Sequence, residues 1–297
     1  MKLVITGSSG LIGSALVREA EKNQIEVVKL VRKAPKDKSE VQWDPNRAIL
    51  DLDTIEKSTA IVHLAGAGVG DRRWTKKYKK EILNSRVKTT ETLANAIVNL
   101  RNPPSVFVSG SAMGYYGDTG DLAVDENASL GEGFLSDVVF NWEYAAQRVR
   151  NNNIRVVHPR TGLVMSKRGG LLRKVLPLFR LGLGGKLGNG KQYWSYISLE
   201  DEIGAIFKLI DDVRLTGGVN LTNPNPVTNL EFTKALSSVV NKPAFFHVPA
   251  IALKIALGEF SVEALGSSRV LPSKLKAAGF KFNQPDILSA LNSALKY

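Results

Sequence analysis

Three glycines carry the first chemistry of this chain. In TGSSGLIG, Gly7, Gly10 and Gly13 come at three-residue spacing, after the apolar run of residues 2–6 and ahead of an amphipathic segment. Gly7 permits a tight turn, Gly10 lets the backbone approach a pyrophosphate, and Gly13 lets a helix pack against the preceding strand. The helix start, from Ser9 and Gly10 into Leu11, Ile12 and Gly13, then offers free N–H groups and a positive dipole end to phosphates. A lone glycine triplet is a weak signal, but one that follows a strand and opens a helix is a strong sign of dinucleotide binding. The plain alternative is a glycine turn that holds no ligand.

The end of the next β-branched run, IEVVKLV, chooses between two cofactors. An NAD site usually carries Asp or Glu about 20 residues on, to hold the ribose 2′-hydroxyl. Arg32 and Lys33 stand there instead. A guanidinium pairs bidentately with phosphate, so NADP(H), with its 2′-phosphate, is the expected cofactor. Surface cations at a strand end are the competing reading.

These residues need a scaffold. Residues 2–33 read as strand, turn, helix, strand: one βαβ unit of a parallel sheet. TAIVHLAGAGVG (59–70) is another buried strand, and Leu64, Ala65 and Gly66 at its carboxyl end would let an adenosine half lie close to the backbone. His63 within it reads as a core imidazole. KEILNSRVKTTETLANAIVNL has apolar residues at helical spacing, with Ser85 and Arg86 on its polar side. PPSVFVSGSAMGYYGD gives a strand over 106–108, then Ser109, Gly110, Ser111 and a Tyr115–Tyr116–Gly117 turn, and IRVVHPRTGLVMS adds a strand broken by Pro159. The alternation predicts an α/β, Rossmann-type doubly wound parallel sheet over residues 1–165. Beyond Gly169 the chain turns glycine-rich and aromatic, then mainly helical, with Thr228 or Asn229 as a helix cap. A smaller helical C-terminal lobe over 166–297 is expected to close a cleft over the sheet, with some later segments returning to the first domain.

Composition sets outer bounds. At 297 residues, 43% hydrophobic and 23% charged, the chain can bury a full core as an ordinary globular protein. It has no cysteine, which removes disulfides, thiolate chemistry and Cys-ligated zinc, and no metal site is expected. MKLVITGSSG lacks the features of a signal peptide, and IALKIALG is short and carries Lys254, so a cytoplasmic protein without a membrane partner is expected. The formal charge is +12, with its densest run at RRWTKKYKK (72–80). No nucleic-acid motif accompanies that charge, so DNA or RNA is not the expected partner, and water-facing surface cations or an anionic small molecule explain it equally well.

TGSSGLIG and SGSAMGYYGD resemble the extended short-chain dehydrogenase/reductases. HLAGAGVGDRRWT, SRVKTTETL, RTGLVMSKRGGLL, FRLGLGGKLGNGKQY, NLTNPNPVTNLEF and RVLPSKLKAAGFKF are similar, more narrowly, to its atypical epimerase-like branch of unassigned substrate. The resemblance runs from residue 1 to the C-terminus. It implies a Rossmann domain binding NADP(H), a C-terminal domain of unassigned role, Arg32 at the 2′-phosphate, and Leu64 and Ala65 along the adenosine. It also implies that Glu81 and Arg86 lie on the helix running beside the cofactor. The chain departs at 196–201, where Tyr-Ile-Ser-Leu-Glu-Asp stands in place of the usual Trp-Ile-His-Ile-Asp-Asp.

In the wider superfamily a Tyr-x-x-x-Lys pair does the acid–base work, the lysine lowering the phenol from about 10 towards neutrality. Aligned on Glu143, those positions fall on Leu135 and Val139, which cannot transfer a proton. Ser111 aligns with the serine that orients the substrate oxygen. Tyr115 or Tyr116 could stand in as the acid, with Arg86 or Arg160 supplying the positive field, and with Ser109 and Arg160 beside the cofactor. Packing is the alternative for both tyrosines; Asp118 and Glu143 are left either as ion-pair partners or as a base. Three functions follow: an NADP(H)-dependent, epimerase-like oxidoreductase acting on a small molecule such as a nucleotide sugar or carbonyl compound, a non-catalytic NADP(H)-binding redox sensor, or, from the +12 charge, a nucleic-acid or anionic-surface binder.

Overall fold

Leu3, Val4 and Ile5 follow one another without alternation, and in the folded chain all three are wholly buried. Such a strand is covered on both faces, as in a parallel sheet with helices on each side. The computed structural model describes residues 1–150 and 154–296. Its main sheet contains β1 (Lys2–Thr6), β2 (Glu26–Val31), β3 (Glu40–Gln42), β4 (Ala60–His63), β5 (Val106–Ser109), β6 (Ser111–Ala112), β7 (Arg155–Thr161) and β8 (Gly217–Leu221). The order is β8-β7-β5-β4-β1-β2-β3, with β6 beside β7, and each of these pairings is parallel. The strand order reverses between β1 and β4, which places the ligand crevice of a doubly wound sheet at their carboxyl ends.

Two apolar layers sandwich the sheet. Leu3, Ile5, Val62, Val108 and Val157 face α1 (Leu11–Lys22) and, later in the chain, the helix Leu199–Asp211. Val4, Ile61, Phe107 and Val156 face the opposite way, towards α2 (Lys76–Val98). The helix α3 (Phe134–Ala145) packs beside α2. Each fully buried aliphatic side chain contributes about 1.5–3 kcal/mol, so the two layers hold the strand ends rigidly for the site above them.

The remaining lobe has its own core of Leu172, Leu176, Phe179, Trp194, Phe232, Leu236 and Leu291. It joins the helices Gly170–Arg180, Asn229–Val240 and Ile287–Lys296 to short strands. Thr228 caps the second of these in a reciprocal box with Glu231. Although they lie past residue 165, β8 and the helix Leu199–Asp211 are part of the sheet layers.

Candidate functional site

The glycine loop leads from β1 into α1 at the switch point. Gly7 holds φ +69°, and a Cβ there would lie 2.8 Å from the Leu64 backbone. A Cβ on Gly13 would come within 2.2 Å of the Gly7 carbonyl oxygen. Both positions therefore require glycine, one for its left-handed conformation and one for close approach. No side chain caps α1, whose N-cap is Gly10. Its first N–H groups, around Leu11, Ile12 and Gly13, are thus left for an anion. Ser9 and Gly10 are exposed at the same end.

Leu64, Ala65 and Gly66 follow β4, and Leu64 donates its N–H to Thr6 across the switch point, 3.3 Å. Arg32 and Lys33 lie exposed just past β2, and neither forms an ion pair among the described residues. Glu81 is exposed on α2. Arg86, one turn further, is turned inward: its guanidinium donates to the carbonyls of Ala67 (2.9 Å) and Ile82 (3.1 Å) and lies 5.0 Å over the Trp142 ring. Desolvation pulls its pKa down to about 10. Arg86 thereby ties the 65–67 loop to α2, and Ser85 supports the same loop by accepting the Ala67 N–H at 3.0 Å.

Beyond β5 the polar residues converge. Ser109 is buried at the strand end. Ser111, 6% exposed, donates through Oγ to Glu143 Oε1 at 2.6 Å. Arg160, on β7, closes a fork on the same carboxylate, Nε to Oε1 at 2.9 Å and an Nη to Oε2 at 3.0 Å. Its other Nη donates to the Tyr116 hydroxyl at 3.0 Å, and Tyr116 in turn donates to Asn220 Oδ1 at 2.7 Å. The guanidinium carbon also lies 3.3 Å from the centre of the Tyr115 ring. Arg160 pairs with Asn220 on β8, and its guanidinium can lie flat over Gly218, where a Cβ would sit 2.6 Å from the guanidinium carbon.

Electrostatics follow from this geometry. Burial alone would raise Glu143, but the hydrogen bonds from Arg160 and Ser111 and the Arg160 charge hold it below the ordinary glutamate value. Tyr116 is pushed up to about 12 by burial, against the opposing pull of Arg160. Its proton is committed to Asn220. The Tyr115 hydroxyl has no hydrogen-bond partner among the described residues, and its ring is half-buried.

A family model described as the NAD dependent epimerase/dehydratase family matches residues 3–221. The chain belongs to this family. A domain of unknown function (DUF1731) follows over residues 248–294. An epimerase family protein of Mycobacterium bovis is 42% identical, covering 98% of this chain and 97% of its own. The chloroplastic homologue from Arabidopsis thaliana is 33% identical over 100% of this chain and 87% of its own. Among solved structures, human epimerase family protein SDR39U1 with NADPH superposes at a TM-score of 0.93, with 30% identity over 100% of this chain and 99% of that one.

Within the epimerase family frame, the departures from the usual proton machinery acquire a structural meaning. Leu135 and Val139 face the short turn Met113–Tyr116: an ideal Cβ on Gly114 would lie 3.2 Å from Leu135 Cβ and 3.9 Å from Val139 Cγ2. Ser136 stitches helix and turn together through Oγ to the Gly114 carbonyl, 2.8 Å. The space in front of α3 is therefore filled by backbone and apolar side chains. Ser198, where the resemblance implies a histidine, caps the helix Leu199–Asp211, its Oγ accepting the Asp201 N–H at 2.9 Å. His63 is wholly buried between the hydroxyls of Thr6 (2.6 Å) and Thr89 (3.1 Å), and burial drops its pKa to about 3. Asp118 binds the backbone N–H groups of Gly120 and Ser267. Asn220 and Gly218 are the site residues that the sequence did not single out; both lie in an ordinary-looking strand, GGVNL.

Proposed function

We propose that this chain binds NADP(H) along the Gly7–Gly13 loop and acts as an epimerase-like oxidoreductase on a small carbonyl, alcohol or nucleotide-sugar substrate. The cofactor reading is supported by the uncapped start of α1, the two positions that admit only glycine, and Arg32 standing free where an acid would select NAD(H). The relative crystallised with NADPH has the same fold over its whole length. When bound, NADP(H) supplies or accepts the hydride. Ser111, whose own proton is directed at Glu143, would orient a substrate hydroxyl by accepting from it, and Tyr115 would give or take the proton that balances the hydride. Arg160 is the fixed positive charge beside them, held by Glu143. The observation that carries this assignment is the contrast between the two phenols: Tyr116 is locked between Arg160 and Asn220, whereas Tyr115 is uncommitted.

A second reading, an NADP(H)-binding redox sensor without turnover, draws on Leu135 and Val139 packed against the 113–116 turn. One experiment separates the two. Purified protein with NADPH or NADP⁺ is challenged with a panel of carbonyls, alcohols and nucleotide sugars, with Tyr115→Phe and Ser111→Ala as controls. Turnover that each variant lowers about 10²-fold or more, with unchanged NADPH affinity, is the expected result. NADPH binding without hydride exchange on any substrate transfers the conclusion to the sensor.

A further inference from the structure

One face of the C-terminal lobe has no part in the cofactor site. Helix Asn229–Val240 and segment 243–246 border an open groove of about 650 Å³, lined among others by Leu230, Phe245, Phe246, Lys186, Lys234 and Lys242. Phe245 is 90% exposed. The strand Phe246–Val248 pairs with Gly185–Leu187, and Gly182 lies against Pro243, so Leu181 and Leu183 share this edge. The chain then passes through Pro249 into the helix Ala250–Leu257, which exposes Ile251 and Ile255, one turn apart, at 72% and 73%. Large side chains this exposed and this concentrated mark an interaction surface rather than ordinary surface apolarity.

Lysines outnumber carboxylates around them, with Glu231 one turn before Lys234 and Glu259 just past the helix Ala250–Leu257. Residues 144–199 and 232–258 contain no Asp or Glu at all. Lys186, Lys234, Lys242 and Lys254 make no ion pair among the described residues. A second copy of the chain is a poor occupant, because a two-fold interface would set the same unmatched cations against one another. The matching surface is anionic, broad and able to accept protruding apolar side chains.

We propose that the rim of this groove docks on an anionic lipid bilayer, with Phe245 and Phe246 entering the acyl boundary and Lys186, Lys234 and Lys242 at the lipid phosphates. Long lysine stems suit that arrangement, since they lie along apolar surface while their ammonium groups stay in the headgroup layer. No helix among the described residues is long and apolar enough to cross a membrane, so the association is one of lying on the surface. It goes beyond the expected small-molecule partner, and it is independent of the oxidoreductase reading.

The test is flotation of the full-length protein with phosphatidylcholine vesicles, with and without phosphatidylglycerol. Binding is expected only to the phosphatidylglycerol vesicles, with release by salt as charges are screened. Lys234→Glu with Lys242→Glu, and separately Phe245→Ser with Phe246→Ser, should each lower partitioning about tenfold or more. Both variants should keep wild-type NADPH affinity, which reports that they are folded. Three results overturn the proposal: equal partitioning onto neutral vesicles or none at all, variants that bind like wild type, or a dimer in lipid-free solution that the same substitutions dissociate. Displacement from vesicles by a soluble polyglutamate peptide at lower concentration than anionic vesicles require would reassign the face to an acidic protein.

Discussion

Removing Glu143 tests the centre of the site. Its carboxylate and the Arg160 guanidinium are 12% and 7% exposed, and they meet through two hydrogen bonds. Glu143→Ala would leave a buried cation held only by Tyr116, and would also strand the Ser111 hydroxyl. Breaking one partner of a buried pair costs about 3–5 kcal/mol, whereas replacing both by apolar groups of similar size is often close to neutral. Glu143→Ala is therefore expected to lower stability by about 3–5 kcal/mol, read as a lower urea midpoint and a Tm drop on the order of 10 °C. Arg160→Met in the same chain as Glu143→Leu should recover most of that loss. Acid supplies an independent check. Glu143 is held below its unfolded value of about 4.3, so the pair's contribution is complete above that pH and is lost as pH falls through the folded value. Glu143→Gln should flatten this acid limb. A Glu143→Ala cost below about 1 kcal/mol, or single-variant costs that simply add in the double variant, would refute the reasoning.

Other outcomes can be measured on the same protein. Arg32→Ala should weaken NADPH binding by about 30-fold in a fluorescence titration and leave NADH almost unchanged, since only the former carries the 2′-phosphate. Gly13→Ala sets a methyl group 2.2 Å from the Gly7 carbonyl oxygen, and is expected to cost about 1–3 kcal/mol in urea unfolding together with most NADPH affinity. Glu202, buried beneath Thr161 and pushed up to about 8 by desolvation, holds its proton in the folded chain at a pH where the unfolded chain has lost it. Stability should therefore fall as pH rises from about 4.3 towards that value. Glu202→Gln should remove the slope and raise the urea midpoint at pH 8.

Much of the scaffold was legible because it rests on local rules. Continuous apolar runs identified buried strands, three-residue glycine spacing identified the loop, and Thr228 or Asn229 announced a helix start, of which the structure takes Thr228. The arginine at the end of β2 could be read for the same reason, since its position relative to the loop is fixed by one βαβ unit. Glu143 was harder. Its sequence neighbours, Trp142 and Tyr144, say nothing of Arg160, which arrives from a strand two positions along the sheet from β4. Gly218 and Asn220 gave no signal at all, because a small residue and an amide in a strand are unremarkable until a neighbouring side chain lies over them.

By itself, the sequence determined the doubly wound architecture, the glycine loop and the absence of a proton-transfer pair at Leu135 and Val139. Those depend on periodicity, backbone freedom and side-chain chemistry, which act over a few residues. Tertiary structure decided which polar groups meet. It committed Tyr116 to Asn220 and left Tyr115 beside Arg160, it turned Arg86 inward to hold a loop, and it gathered lysines and phenylalanines from separate segments onto one face. Hydrogen bonds and ion pairs act only over a few ångströms, so their partners are set by which strands the fold places side by side.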